Sequence, residues 1–166
     1  DLVAHMYAHA YGLRVMVTRC GNVYGGGDLN FSRLVPDVIQ SVLKGQAPVI
    51  RSNGQFKRDY VYIDDIVSAY LSSAEALRRD PEAFKGEAFN FGPNEPLRVI
   101  DVVEKILSQV GANHLRPIIQ DGVKYEIKEQ SLDASKAMRR LNWKARVSFD
   151  EGLRRSIDWY RKYLGL

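Results

Sequence analysis

The sequence predicts an α/β fold in which short strands alternate with amphipathic helices, weighted toward helix in its second half. Three observations carry this. A helical spacing, a β-rich run and a glycine-rich loop follow one another over residues 1–27, the order in which α/β units are built. Residues 58–63 and 87–91 alternate or cluster β-forming side chains between turn signals. Several longer segments repeat apolar residues three and four apart, the mark of a helix with one buried face. With 45% hydrophobic and 27% charged residues in 166, the composition excludes a disordered, collagen-like or coiled-coil chain.

The elements follow in order. Residues 1–11 place Leu2, Met6, His9 and Ala10 at helical spacing, and Gly12 ends the run. Residues 15–19 read as a strand and residues 20–27 as a loop. Residues 31–43 form a helix with Leu34, Val35, Val38, Ile39 and Val42 on its apolar face. Residues 48–50 are a short strand, and Ser52-Asn53-Gly54 is a turn. Residues 58–63 make a strand, after which Asp64 or Asp65 caps a helix over 66–79. Asp80-Pro81 stops that helix. Residues 87–91 are a strand cut by Gly92-Pro93. Residues 97–110 are a helix with Val99, Ile100, Val103, Ile106 and Leu107 inward and Gly111 beyond its end. Residues 114–132 are a mixed, loop-like strand region. Asp133 caps a short helix through Leu141, and Phe149 or Asp150 begins a last one ending near Leu164. Only two or three strands look central, fewer than a self-contained doubly wound sheet uses.

Composition also narrows the setting. No apolar run approaches the ~20 residues of a membrane span. Cys20 is the single cysteine, so no internal disulfide forms; with no secretory leader in view, the expectation is a reducing cytoplasm. The net charge is +4, but the arginine pairs at 78–79, 139–140 and 154–155 fall in or at the ends of helices among acidic residues. A nucleic-acid surface needs them clustered on one face, so none is expected.

His5 and His9 sit four apart, a spacing that can put two imidazoles on one metal. Met6 follows His5 where a zinc-protease helix has Glu, and His114 has no carboxylate cluster near it; no metal site is expected. Cys20 has no histidine at a recognisable spacing and reads as a small buried residue. Gly25-Gly26-Gly27 fails as a dinucleotide fingerprint and implies only a tight turn or a close approach. Two residues point to binding. Asn22 follows a buried strand, where open α/β sheets hold ligands; its amide can donate to a phosphate or sugar oxygen, or it simply holds a left-handed turn. Arg58 begins a strand, and its rigid fork suits a phosphate or an exposed ion pair.

Around these residues the sequence resembles a known family. Thr18-Arg19-Cys20-Gly21-Asn22-Val23-Tyr24-Gly25, Arg33-Leu34-Val35-Pro36 and Arg58-Asp59-Tyr60-Val61-Tyr62-Ile63-Asp64-Asp65 carry the likeness. Phe89-Asn90-Phe91-Gly92-Pro93, Leu132-Asp133-Ala134-Ser135-Lys136-Ala137 and Leu141-Asn142-Trp143 continue it in order. Together they resemble the extended short-chain dehydrogenases/reductases, in the group of NAD-dependent nucleotide-sugar epimerases and dehydratases. Gly25-Gly26-Gly27-Asp28, Asn90-Phe91-Gly92-Pro93 and Trp159-Tyr160 look most like CDP-glucose 4,6-dehydratases. The Arg-Asp-Tyr strand looks more like dTDP-glucose dehydratases and UDP-sugar epimerases.

The resemblance implies that residues 1–166 are a C-terminal portion of such an enzyme. Residues 1–30 and 58–92 would be the last elements of a Rossmann-like sheet, and residues 31–57 and 93–166 largely the smaller mixed α/β substrate-binding domain. By likeness, the backbone at Cys20-Gly21, with Asn22 and Val23, would lie beside the nicotinamide of NAD. Asn22, Arg33, Leu34, Arg58 and Glu126 would meet the nucleotide sugar, with Glu126 accepting from ribose hydroxyls. Relatives often have Arg three residues before that acid; here Val123 stands there, with Lys124 adjacent, which leaves the base open. Neither the G-x-x-G-x-x-G loop of NAD binding nor any Tyr-x-x-x-Lys occurs in these 166 residues. In relatives that pair moves the proton while hydride passes to NAD, and Asp1 aligns with an acid a few residues beyond it. No catalytic residue is therefore assigned, and the polypeptide alone is expected to show no turnover. The implied function is the nucleotide-sugar-binding portion of a 4,6-dehydratase, a lyase of carbohydrate biosynthesis that forms a homodimer. The alternatives are a 4-epimerase or a non-catalytic binding or interaction module.

Overall fold

A computed structural model describes residues 1–123 and 125–166; Lys124 lies outside the described residues. The chain opens with α1 (Leu2–Ala10), which buries Ala8 alone. β1 (Val17–Cys20) pairs in parallel with β6 (Ala88–Phe91), Val17 opposite Ala88 and Cys20 opposite Phe91. The strand starts two residues later than the pattern of residues 15–19 suggests. Val15 N–H turns back onto Leu13 O and its carbonyl accepts from Gly86 N, so its contacts with the chain before β6 stay outside the register that begins at Val17 opposite Ala88.

The expected loop over 20–27 contains a strand. β2 (Asn22–Tyr24) pairs in parallel with β5 (Tyr60–Tyr62). Gly21 N donates to Phe91 O and Asn22 N to Asp59 O. Successive amides of a strand point to opposite edges, so the chain passes at Gly21 from β6 on one side to β5 on the other.

α2 (Leu34–Leu43) starts three residues after the expected 31. Asp28 and Asn30 hold the intervening backbone in turns, accepting from Asn30 N at 3.0 Å and Ser32 N at 3.1 Å; such short polar side chains compete with helix. β3 (Val49–Ile50) pairs in parallel with β8 (Ile118–Ile119). The single strand expected over 58–63 divides at Asp59 into β4 (Lys57–Arg58) and β5. β4 is the middle of a three-stranded sheet between β7 (Leu97–Arg98), antiparallel, and β9 (Glu129–Gln130), parallel.

α3 (Ile63–Arg79) begins earlier than expected and neither Asp64 nor Asp65 caps it. Asp65, 4% exposed, instead accepts from the backbone of Arg146 (3.1 Å) and Val147 (3.0 Å). Asp80 does more than end the helix: it caps α4 (Pro81–Phe84), accepting from Ala83 N, with Pro81 at a first-turn position that needs no N–H. α5 (Val99–Val110) ends at Gly111 with φ +82°, as the sequence implies. Asp133 accepts from Ser135 N at 2.8 Å and so starts α6 (Ser135–Leu141) one residue ahead of its boundary, at Ala134. Ser148 caps α7 (Phe149–Leu164), accepting from Glu151 N.

Two cores result. The first packs α2, α5 and α7 with Tyr24, Tyr60 and Tyr62. The second gathers Val61, Ile66, Phe89, Phe91 and Trp143 beneath α3 and α6. Each fully buried large apolar side chain contributes about 1.5–3 kcal/mol over its exposed state. The glycine run serves the first core. A Cβ on Gly26 would stand 2.5 Å from Trp159 Cγ, one on Gly25 2.5 Å from Ile63 Cγ2, and Gly27 has φ +88°. Close approach accounts for Gly25 and Gly26, and the left-handed turn for Gly27. Among the described residues no helix is long and apolar enough to cross a membrane.

Candidate functional site

The segment that changes partners at Gly21 meets the start of α2 and the β4–β5 strand around two adjoining cavities. The first, about 350 Å³, is bounded by Gly21–Tyr24, Asp28, Arg33–Pro36 and Tyr60. The second, about 380 Å³, shares Asn22, Leu34 and Tyr60 with it and reaches Asp37, Arg51, Arg58, Val123 and Glu126. Of the residues nominated from the sequence, Gly21, Asn22, Val23, Arg33, Leu34, Arg58 and Glu126 therefore line one continuous cleft. Cys20 does not. Its side chain packs against the second core, and burial pushes the thiol pKa up while a hydrogen bond with Tyr70 pulls it down.

The cleft brings together three arginines, Arg33, Arg51 and Arg58, and three acids, Asp28, Asp37 and Glu126. Arg58 is only 10% exposed at its side chain and is bonded to the Glu126 carboxylate; its Nη1 also donates to Lys57 O at 2.7 Å. This is not the exposed ion pair of the alternative reading, because the guanidinium is buried and only the carboxylate, 42% exposed, reaches the cleft mouth. Arg33 sits at the rim, its Nη1 3.2 Å from Asp28 Oδ2. It is also the N-cap of α2, with no side chain closing the helix end. Pro36 has no N–H and Asp37 N bonds Arg33 O at 3.1 Å, so the Leu34 and Val35 amides, with the positive end of the helix dipole, are what α2 brings to the first cavity.

Tyr60 and Arg51 are among the lining residues that sequence reasoning missed, as are Tyr24, Asp28 and Asp37. Tyr60 is two residues from Arg58 and shares its face of the strand, a period-2 signal that was legible. Arg51 follows the short strand β3 just before the Ser52–Gly54 turn, a strand-end position of the kind that carries function. Burial pushes the Tyr60 phenol up to about 12, against the pull of Arg58 and a hydrogen bond from Asn22. Burial also raises the Tyr24 phenol and the Asp37 carboxyl, the latter offset by Arg51. Both lining phenols are thus protonated near neutral pH and act as hydrogen-bonding groups.

The profile of the GDP-mannose 4,6 dehydratase family matches residues 1–156. The chain belongs to this family. It is an extended short-chain dehydrogenase/reductase of the nucleotide-sugar dehydratase and epimerase group. A probable dTDP-glucose 4,6-dehydratase of Sinorhizobium fredii is 30% identical over 96% of this chain and 46% of its own length. The UDP-glucose 4-epimerase of Thermotoga maritima, solved with UDP-glucose, superposes with a TM-score of 0.86 at 28% identity, covering 98% of this chain and 51% of that one. A dTDP-glucose 4,6-dehydratase of Streptomyces venezuelae, solved with NAD bound, gives 0.82 at 29% identity over 99% and 49%. The family member described here spans about half the length of these relatives.

Proposed function

We propose that this chain is the nucleotide-sugar-recognition portion of an NAD-dependent 4,6-dehydratase. The observation that carries the reading is the buried Arg58–Glu126 pair, set across one cleft from the uncapped start of α2. Arg58, Arg33 and the α2 amides offer donors and positive charge to a diphosphate, and a bidentate guanidinium is suited to it. Asn22 donates to a phosphate or sugar oxygen from the strand switch. Glu126, as a carboxylate beside Arg58, accepts from ribose hydroxyls.

The residues fit one end of NAD only. Gly21, Asn22 and Val23 line the first cavity, Gly21 without a side chain, while the sequence holds no glycine loop for the pyrophosphate. When bound, NAD supplies the hydride acceptor and donor for oxidation at the sugar C4, with loss of water across C5–C6 in a dehydratase. This chain's residues bind and orient the nucleotide; without a Tyr-x-x-x-Lys they do not move the proton. A second reading, a 4-epimerase, is favoured by the TM-score of 0.86 with the Thermotoga maritima epimerase, and the same recognition residues serve it.

Titration calorimetry of the chain with UDP-glucose, dTDP-glucose and CDP-glucose tests the proposal. Binding to at least one is expected, and Arg58→Ala should weaken it by roughly 10- to 100-fold, the worth of a charged hydrogen bond at about 1.5–3 kcal/mol. No binding at millimolar ligand overturns recognition. Formation of a 4-keto sugar by the chain alone overturns the assignment of proton transfer to residues outside it.

A further inference from the structure

We infer that Asp59 is the positioning residue of this cleft, locking the strand that carries Arg58 to the segment that carries Glu126; the inference rests on the recognition role proposed above. Side chains alternate along a strand. Arg58 and Tyr60 line the second cavity, and Asp59 between them lines neither. It is 2% exposed, and its carboxylate accepts three backbone N–H groups, from Asn94, Glu95 and Leu132, each at 3.2 Å. Asn94 and Glu95 lie just before β7, and Leu132 just after β9. These are the two strands that flank β4, so one carboxylate ties both neighbours to the strand bearing Arg58. Its carbonyl accepts a fourth amide, Asn22 N at 2.7 Å, which fixes the strand switch on the cleft's opposite wall.

Two glycines make room for this node. A Cβ on Gly21 would stand 2.7 Å from Asp59 O, and one on Gly92 would run into Asp59 Oδ2. The turn it holds is itself unusual, with Asn94 at φ +59°, a left-handed conformation that needs support in a residue with a Cβ. A carboxylate is acceptor-only. In Asp59→Asn one oxygen becomes an NH₂, and each of the two oxygens faces at least one of the three donors, so either orientation of the amide sets N–H against N–H. No group lining the cleft is altered.

Asp65 supplies the matched control. It is another buried aspartate that accepts backbone amides, and it lines neither cavity. The experiment compares the 166-residue chain with Asp59→Asn and Asp65→Asn by three measurements: thermal melting, amide hydrogen exchange, and calorimetric titration with UDP-glucose and dTDP-glucose. Both variants should melt lower. Only Asp59→Asn should speed exchange at Asn94, Glu95 and Leu132 and raise Kd by about tenfold or more, while Asp65→Asn keeps Kd within about twofold. Equal Kd shifts in the two variants overturn the inference. So does exchange at Asn94, Glu95 and Leu132 in the unaltered chain as fast as at unbonded loop amides. If Asp59→Asn does not fold, Gly92→Ala, which crowds the same carboxylate without removing it, is held to the same criteria. If the unaltered chain binds neither sugar nucleotide, the recognition reading fails, and the exchange comparison alone decides whether Asp59 holds the strands.

Discussion

Gly152→Ala in α7 sets helix propensity against packing. Gly152 is buried in the second turn of a 16-residue helix, where replacing Gly by Ala ordinarily gains about 1 kcal/mol. Here a Cβ would run into Tyr24 Oη and stand 2.8 Å from Tyr62 Cδ2 and 3.0 Å from Tyr24 Cζ. Tyr24 cannot swing away freely, since its hydroxyl donates to Phe149 O at 3.0 Å and its ring packs at 5.6 Å from that of Tyr62. Overpacking a filled core costs about 1–3 kcal/mol, and the displaced hydrogen bond about 1 kcal/mol more. The balance is a loss of about 2 kcal/mol, which lowers Tm by roughly 4–8 °C in a chain of this size. Calorimetric or circular-dichroism melting measures it. The double variant with Tyr24→Phe removes the atom nearest the new methyl, so the two changes should couple favourably by about 1 kcal/mol or more. A Gly152→Ala chain that melts higher than the parent would show that propensity wins and refute the packing argument.

Three further outcomes are expected. Bonds from Arg154 and Arg155 hold the Glu151 carboxyl down at about 2, so its stabilising effect is full above the ordinary value near 4.5 and fades as pH falls toward 2. The melting difference between the parent and Glu151→Gln should close over that window, and parallel curves would contradict it. Burial holds the phenols of Tyr60 and Tyr160 up at about 12, so this contribution is present below pH about 10 and lost as pH rises through 12. In ultraviolet difference titrations against the Tyr60→Phe and Tyr160→Phe chains, the absorbance each variant lacks should rise near pH 12; a rise near pH 10 in the folded chain would count against it. β1 is paired along one edge only among the described residues, and Leu2, Leu71 and Tyr70 are exposed on nearby helices. The purified chain should therefore self-associate, less so with Leu71→Glu, and a monodisperse parent monomer in light scattering would refute this.

The helices were legible because their information is local. Val35, Val38, Ile39 and Val42 lie on the buried face of α2, and the Gly111 stop stands where its φ requires. The strands were not, because most are two to four residues long and exist only through partners dozens of residues away. Asn22–Tyr24 reads as loop until β5 is beside it. The misread caps have one cause: an aspartate before an apolar run resembles an N-cap, yet Asp65 binds amides eighty residues downstream that burial would otherwise leave unpaired. Arg58 and Glu126 are 68 residues apart, and no local pattern joins them; only the family resemblance nominated both. The same resemblance nominated the backbone at Cys20-Gly21; the Cys20 side chain itself packs against the second core.

The position of the cleft follows from where the two cores meet. Between Cys20 and Asn22 a single residue carries the chain from β6 to β5, and between Arg58 and Tyr60 a single residue carries it from the three-stranded sheet to β5. These two handovers face each other, since Asn22 N bonds Asp59 O. A sheet whose strands change neighbours leaves a crevice, because the connections on either side diverge, and ligands of open α/β sheets sit in such crevices. At this one, Asn22 and Tyr60 are the first residues past each handover, and both line the two cavities at once. Gly21 has no side chain because Asp59 O occupies the space a Cβ would need. The geometry that opens the cleft therefore also dictates the Gly-Asn and Arg-Asp-Tyr sequences at its walls. Within those motifs, Gly21 and Asp59 answer to the fold, while Asn22, Arg58 and Tyr60 line the cleft.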